Sequence, residues 1–218
     1  MARRFVRYAP ARKDKSRLVR IRVSDMRGAD AAWWDARVVP TIAITPRRAD
    51  RFWLWSVMLP ALLLHQLGSG RRCRPLVIWA YTDAGTLVRA AMSFVVERYP
   101  HLDVSQPGMA HFLWFLSSAP DSIFARYGVS DPPSLGSIAV DNTMVLSESY
   151  GLDGRMGLHA APAGGPALLK LYGVNCQLIQ LPAQAPLPPA VRRQNDGRFF
   201  YADNGRAGTL LSIGDAHR

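Results

Sequence analysis

Two residues whose types could do chemistry lie in GLDGRMGLHA, residues 151–160. A turn-like Gly-Leu-Asp-Gly precedes alternating polar and apolar residues, a pattern typical of a half-buried strand. The alternation places Arg155 and His159 on the face opposite Met156, Leu158 and Ala160. A cation and an imidazole on one strand face suit an active site, a ligand pocket or a solvated edge, and these ten residues leave all three open.

Cysteine and histidine spacing limits the other chemistry. Cys73 and Cys176 are too few for a disulfide framework, and no close His and Cys spacing offers metal ligands. We therefore expect no metal and a reducing, cytoplasmic environment. Because arginines and lysines interrupt every apolar run before residue 23, we also expect no export signal.

The charge of the chain is concentrated at its beginning. Residues 1–51 hold 14 Lys and Arg against 5 Asp and Glu, net +9, whereas residues 52–218 hold 13 against 11, net +2. This division predicts a basic N-terminal arm, residues 1–22, ahead of one domain, residues 23–218. Such an arm is either a solvated tail or a segment that binds the phosphates of a nucleic acid.

The segment before residue 70 gives uneven structural signals. We expect a strand at 18–23, a helix or apolar patch at 29–39, and a strand at 42–44. Thr45-Pro46 resembles a helix start, which predicts a helix reaching Leu67 and bent or broken at Pro60. Residues 52–64 are too few to span a bilayer, so we interpret them as a buried helix.

The rest of the chain predicts a mixed sheet. The expected elements are a hairpin of 76–82 with 87–99, a central strand at 112–116, a loop at 120–135, a helix at 136–150, a strand at 155–160, a short helix from 164 to a cap at Gly173, and late strands at 199–202 and 209–213. For residues 138–140 a strand remains an alternative. This order predicts an α/β (α+β) domain with a partly antiparallel sheet flanked by helices. A parallel pair joined by helix 136–150 would form a ligand crevice at the strand ends.

Residues 135–172 resemble a known family. LGSIAVDNTMVLSESYGLDGRMGLHA is similar to the GNAT superfamily of acyl-CoA N-acyltransferases, in which a Gly-rich loop opens a helix that leads into a GLHA-type strand. Upstream, FLWFLSSAP resembles the central coenzyme-binding strand of that superfamily, and downstream ALLKLYG resembles its helix ending in Tyr. The resemblance covers roughly residues 110–180.

The resemblance implies a site for acetyl-CoA between strands 112–118 and 155–160. The pyrophosphate would lie at the start of helix 136–150, where unpaired N–H groups and the helix dipole favour phosphate. The implied coenzyme contacts are the backbone of Phe115, Leu116 and Ser117 and the N–H groups of Leu135, Gly136, Ser137 and Ile138. Tyr172 matches the position that commonly acts as general acid toward the departing thiolate, and a core aromatic is the alternative.

Several positions depart from the superfamily pattern. The pyrophosphate loop retains only its last glycine, and Pro132 and Pro133 remove two N–H donors. Trp114 stands where a carboxylate base is often found. Glu97, His111 and His159 remain as substitutes by chemistry alone, and a structural role is the first interpretation for each.

Three functions stay open at this point. They are an acetyl-CoA-dependent N-acetyltransferase acting on an unidentified amine, a degenerate module that binds acyl-CoA or a protein without catalysis, and a protein that engages nucleic acid, for example an aminoacyl-tRNA, through its basic arm.

Overall fold

The computed structural model describes residues 3–46, 48–191 and 193–218, apart from the side chains of residues 67–69. Its eight strands are β1 (Tyr8–Pro10), β2 (Leu18–Asp25), β3 (Cys73–Tyr81), β4 (Leu87–Pro100), β5 (Met109–Ser118), β6 (Met156–His159), β7 (Ile179–Gln180) and β8 (Phe199–Ala202). They form one sheet in the order β1-β2-β3-β4-β5-β6-β8-β7. Only β5 and β6 pair in parallel. The predicted mixed, partly antiparallel fold class is confirmed.

Seven α-helices accompany the described strands. They are α1 (Gly28–Arg37), α2 (Val39–Ala43), α3 (Trp55–Ser69), α4 (Asp121–Arg126), α5 (Leu135–Ser149), α6 (Gly165–Lys170) and α7 (Asn204–Asp215). Helices α1 and α3 pack together. Trp55 of α3 stacks on Phe94 of β4, with ring centroids 5.5 Å apart, whereas Tyr150, which ends α5, contacts His111 of β5. Within the described ranges, no helix is both long and apolar enough to cross a membrane.

The start of α3 differs from its prediction. The helix begins at Trp55 rather than after Thr45, because Asp35 of α1 accepts hydrogen bonds from the N–H groups of Trp55 and Ser56 at 2.8 and 2.9 Å. A carboxylate from another helix thus supplies the cap that Leu54 cannot provide. The helix continues through Pro60 instead of breaking there.

Other predicted elements change type in the structure. Residues 42–44 form the end of α2 and its C-cap rather than a strand. Residues 138–140 lie within α5, which confirms the predicted helix and excludes the strand alternative. The predicted loop 120–135 contains α4. Residues 209–213 lie in α7, where the Asp203 carboxylate accepts from the Arg206 N–H and caps the helix, so the predicted late strand was wrong.

The predicted cap at Gly173 is also replaced by a different structure. After α6 the chain enters a π-helical turn, Leu171–Asn175, in which the Cys176 N–H donates to the Leu171 carbonyl. Gly173 lies inside this turn, and a Cβ there would stand 3.4 Å from the Phe200 ring. The glycine therefore permits close packing on β8 rather than ending the helix.

The N-terminal residues belong to the sheet, which corrects the predicted boundary at residue 22. Strand β2 crosses that boundary, and β1 pairs with it in the register Tyr8↔Arg20. The alternation of β2 buries Val19 and Ile21 and exposes Arg20 and Arg22. From residue 3 onward the basic segment therefore packs as part of the domain.

Candidate functional site

Strands β5 and β6 separate in the middle of the sheet. Their parallel pairing covers only three pairs and ends at Leu113↔Leu158. The next residue, Trp114, is a bulge, because Phe115 pairs with Phe94 of β4 while Leu113 pairs with the following Val95. Residues 115–118 therefore pair with β4 and, within the described chain, form no ladder pair with β6. We call this break in pairing between the two strands the opening.

The two faces of the sheet at this opening carry different groups. On the α5 side, a row of apolar side chains crosses the sheet through the register pairs Leu113↔Leu158 and Leu158↔Phe200. On the opposite side, Trp114 lies near His65 of α3, with ring centroids 6.2 Å apart. The opening is therefore apolar on the face toward α5 and aromatic on the face toward α3.

A buried carboxylate fixes the separated part of β5. Asp50 is 5% exposed and accepts from Arg48 Nε at 2.8 Å and Nη2 at 2.5 Å. The Ser117 hydroxyl donates to Asp50 at 2.5 Å, and Arg48 Nη2 donates to the Ser118 carbonyl at 2.7 Å. The Ser117 side chain is thus occupied, so only the backbone of this predicted coenzyme-binding residue is open to a ligand.

The start of α5 presents a set of N–H groups. Among the residues that the structure describes, the amides of Leu135, Gly136 and Ser137 have no hydrogen-bond acceptor, as expected of a helix start. The Ile138 amide donates to the Ser134 carbonyl at 3.3 Å and is therefore not free, which corrects one predicted donor. A Cβ on Gly136 would stand 3.0 Å from Leu171, so this glycine permits close packing beside the π-helical turn.

The N-terminal segment wraps around the loop that leads into α5. The Asp131 carboxylate accepts from the amides of Lys13 and Asp14 at 3.0 and 3.2 Å, and the Lys13 bond is the main reason that the pKa of Asp131 lies below its usual value. Lys15 Nζ donates to the hydroxyl of Ser134 at 2.7 Å. An ammonium group thus stands at the residue immediately before α5, beside a loop that two prolines deprive of N–H donors.

Tyr172 lies on the α5 side of the sheet. Its ring centroid is 5.8 Å from that of Phe200, and the residue is 7% exposed. Burial raises the pKa of its phenol far above the ordinary value, so the group keeps its proton at neutral pH. The Ser137 hydroxyl and Cys176 Sγ, 3.8 Å apart, join the start of α5 to the same π-helical turn. The structure thus brings Tyr172 near the predicted phosphate-binding helix start.

His159 forms a pair that the sequence did not reveal. Its Nε2 lies 3.0 and 3.1 Å from the two oxygens of Asp196, and its Nδ1 lies 3.4 Å from Arg193 Nη1. Because a guanidinium only donates, Nδ1 must accept and Nε2 must carry the hydrogen that Asp196 receives. Both ring nitrogens are engaged, so His159 lines and orders the end of β6 rather than serving as a ready base.

The other two candidate bases lie away from the opening. Glu97 accepts from the Tyr150 hydroxyl at 2.8 Å, at the C-terminal end of α5. His111 is fully buried, and burial lowers its pKa to about 4, so the imidazole is neutral. His111 precedes Phe115 by four strand residues, which is roughly 13 Å of chain. Both residues lie beside the first half of β5 rather than at the Trp114 bulge.

Within the described ranges, no group of three or more His, Cys, Asp or Glu side chains could hold a metal ion. Cys73 and Cys176 are both free and buried. The arrangement therefore offers backbone donors, one ammonium group and one protonated phenol.

Sequence comparisons and structure comparisons give different results. No family model matches the chain, and no curated protein matches it. Among solved structures, it is similar to the spermidine N-acetyltransferase of Vibrio cholerae in complex with CoA and spermine, at 12% identity and a TM-score of 0.49, with 86% of this chain and 97% of that chain covered.

Two further solved structures are similar in the same way. A mutant of the toxin AtaT bound to the C-terminus of the antitoxin AtaR and acetyl-CoA matches at 10% identity and a TM-score of 0.46, covering 88% of this chain and 98% of that chain. The aminoglycoside 6'-N-acetyltransferase AAC(6')-Ih of Acinetobacter baumannii matches at 16% identity and a TM-score of 0.42, covering 70% and 88%. Two of these three neighbours are named as N-acetyltransferases, and the third is bound to acetyl-CoA. The likeness is one of fold, so the residues of this chain must carry any functional assignment.

Proposed function

We propose that the protein is an acyl-CoA N-acyltransferase that uses acetyl-CoA to acylate an amine. The observation that carries the proposal is the separation of β5 from β6 at Trp114, next to a helix start with three open amides. A strand edge and a helix start together suit a ligand that combines an amide-containing arm with a pyrophosphate.

Each part of the coenzyme has a proposed partner. The pyrophosphate would accept from the amides of Leu135, Gly136 and Ser137, with Lys15 supplying a positive charge that the proline-containing loop lacks. The pantetheine amides would pair with the backbone of residues 115–117, which Asp50 holds in place through Ser117. The basic N-terminal segment is thus part of the coenzyme site in this proposal.

The proposed reaction is direct transfer. The neutral amine nitrogen attacks the thioester carbonyl carbon, an amide bond forms and the carbon–sulfur bond breaks. The thiolate takes a proton from the Tyr172 phenol, and the resulting phenolate regains a proton from solvent. The proton lost by the amine passes to solvent, since His159 is engaged on both nitrogens. We therefore expect kcat/KM to rise with pH as the acceptor amine loses its proton.

Titration calorimetry with acetyl-CoA tests the coenzyme site. The unmodified protein should bind, Lys15→Gln should weaken binding severalfold, and Arg37→Gln, which removes an equal charge from exposed α1, should leave it unchanged. A protein that fails to bind millimolar acetyl-CoA would contradict the proposal.

Thiol release on an amine panel tests catalysis. Because burial raises the pKa of both Cys73 and Cys176 to about 11, the protein's own thiols should react little with an aromatic disulfide reagent. We expect Tyr172→Phe to lower kcat while acetyl-CoA affinity stays close to that of the unmodified protein. Coenzyme binding without thiol release for any amine would instead identify the degenerate acyl-CoA-binding module.

A further inference from the structure

A basic concavity lies on the exposed face of β1 and β2, in the half of the sheet away from the β5–β6 opening. Its volume is about 450 Å³. Five arginines line it: Arg4, Arg7, Arg20, Arg22 and Arg218. Three aromatic residues join them: Phe5, Tyr8 and Tyr81. Among the described residues that line it there is no carboxylate, so the cavity presents a positive field to solvent.

The arginines differ in how their charges are compensated. Arg218 pairs with Asp141 and Asp215. Arg4, Arg7, Arg20 and Arg22 form no ion pair within the described part of the chain, and all four are exposed. An uncompensated row of guanidinium groups is stabilised by an external anion with several phosphates, because each contact releases condensed counterions.

The aromatic residues indicate which polyanion fits. Tyr8 and Arg20 face each other across β1 and β2, and the Arg20 guanidinium lies over the Tyr81 ring at 4.4 Å. Tyr8 is 44% exposed, so its side chain is accessible to an external partner. Stacking platforms between backbone-binding cations are typical of sites for unpaired bases.

A second cavity of about 440 Å³ shares Arg20 and Tyr81 with the first. It contains Asp83 and Asp131, and it leads toward the loop before α5. These carboxylates disfavour phosphate, so a bound strand would end near Arg20 rather than continue toward the proposed coenzyme site.

We propose that this concavity binds the backbone of a single-stranded nucleic acid, with Arg20 and Arg22 on phosphates and Tyr8 stacked on a base. This binding goes beyond the proposed acyl transfer and does not require it. It replaces the idea of a free basic arm with a fixed surface built on two strands.

Fluorescence anisotropy with labelled single-stranded RNA and DNA 20-mers tests the proposal over a salt series. The double variant Arg20→Gln/Arg22→Gln should weaken binding. It should also reduce the magnitude of the slope of log affinity against log salt by about 1.4, the value expected for the loss of two phosphate contacts. The control Arg37→Gln/Arg206→Gln removes the same charge from exposed positions on α1 and α7 and should leave affinity and slope unchanged.

A second variant distinguishes a loss of binding from a loss of folded structure. Tyr8→Ser, checked by circular dichroism, should weaken binding with little change in the salt slope, because it removes stacking and no charge. An equal loss of nucleic-acid affinity in the control double variant would overturn the proposal, because it would show that net charge alone attracts the nucleic acid. Complete displacement of the 20-mer by equimolar tripolyphosphate would overturn it as well, because the site would then recognise a small polyphosphate.

Discussion

Asp50 offers the sharpest test of how the separated part of β5 is held. Asp50→Asn keeps the shape of the side chain but removes the charge that Arg48 and Ser117 contact. Breaking a buried ion pair from one side costs about 3–5 kcal/mol. Because the Arg48 side chain retains 21% exposure, water compensates part of the loss, and we expect about 3 kcal/mol. For a chain of this size that lowers Tm by roughly 6–12 °C.

Thermal unfolding and acetyl-CoA calorimetry together check this value. Asp25→Asn is the control, because its bond to Arg74 involves a carboxylate that is 68% exposed and contributes at most about 1 kcal/mol. Combining Asp50→Asn with Ser117→Ala should give a coupling energy of at least about 0.5 kcal/mol. An Asp50→Asn protein that unfolds at the same temperature and binds acetyl-CoA equally well would refute the anchoring role.

Two further predictions concern the stability of the domain. Gly154→Ala should lower the free energy of unfolding by roughly 1–3 kcal/mol, since φ is +74° and the new Cβ would stand 2.9 Å from Ala207 Cβ. Gly208→Ala, in open space on α7, should instead raise the free energy of unfolding by about 0.5–1 kcal/mol. Urea unfolding measures both changes. His111 has a folded-state pKa of about 4 against about 6.5 when unfolded, so the unfolded chain takes up its proton first as pH falls. Stability should therefore decline by up to about 3 kcal/mol between pH 6.5 and pH 4, and His111→Leu should flatten that decline; equal slopes for both proteins would contradict this account.

The local patterns that predicted correctly were those with a single dominant periodicity. The hairpin β3–β4, the central strand β5 and the helix α5 all carry apolar residues at regular spacing and occur where expected. The order of the elements also predicted a parallel pair joined by this helix, which occurs as β5 and β6. The hairpin and the periodic elements depend on neighbours in sequence, so the sequence alone carried enough information for them.

The features that were missed depend on residues distant in sequence. Asp35 caps α3 from another helix, Asp50 reaches Ser117 across 67 positions, and Asp196 reaches His159 across 37. No spacing rule links such pairs, because tertiary packing alone brings them together. The basic segment was misread for the same reason, since its partners are the loop before α5 and the residues after α7.

The wrapping of the N-terminal segment has a consequence for the order of folding. Lys13 bonds to Asp131, 118 residues later, and the Arg4 carbonyl accepts from Arg218, 214 residues later. Contacts of such long range form slowly, because a long loop must close before they can form. On the ribosome, β1 can pair with β2 early, but Lys13 and Arg4 must wait for partners that are made long after them. Until those partners arrive, β1 is an exposed edge with a high positive charge around it, which limits its pairing with other nascent chains.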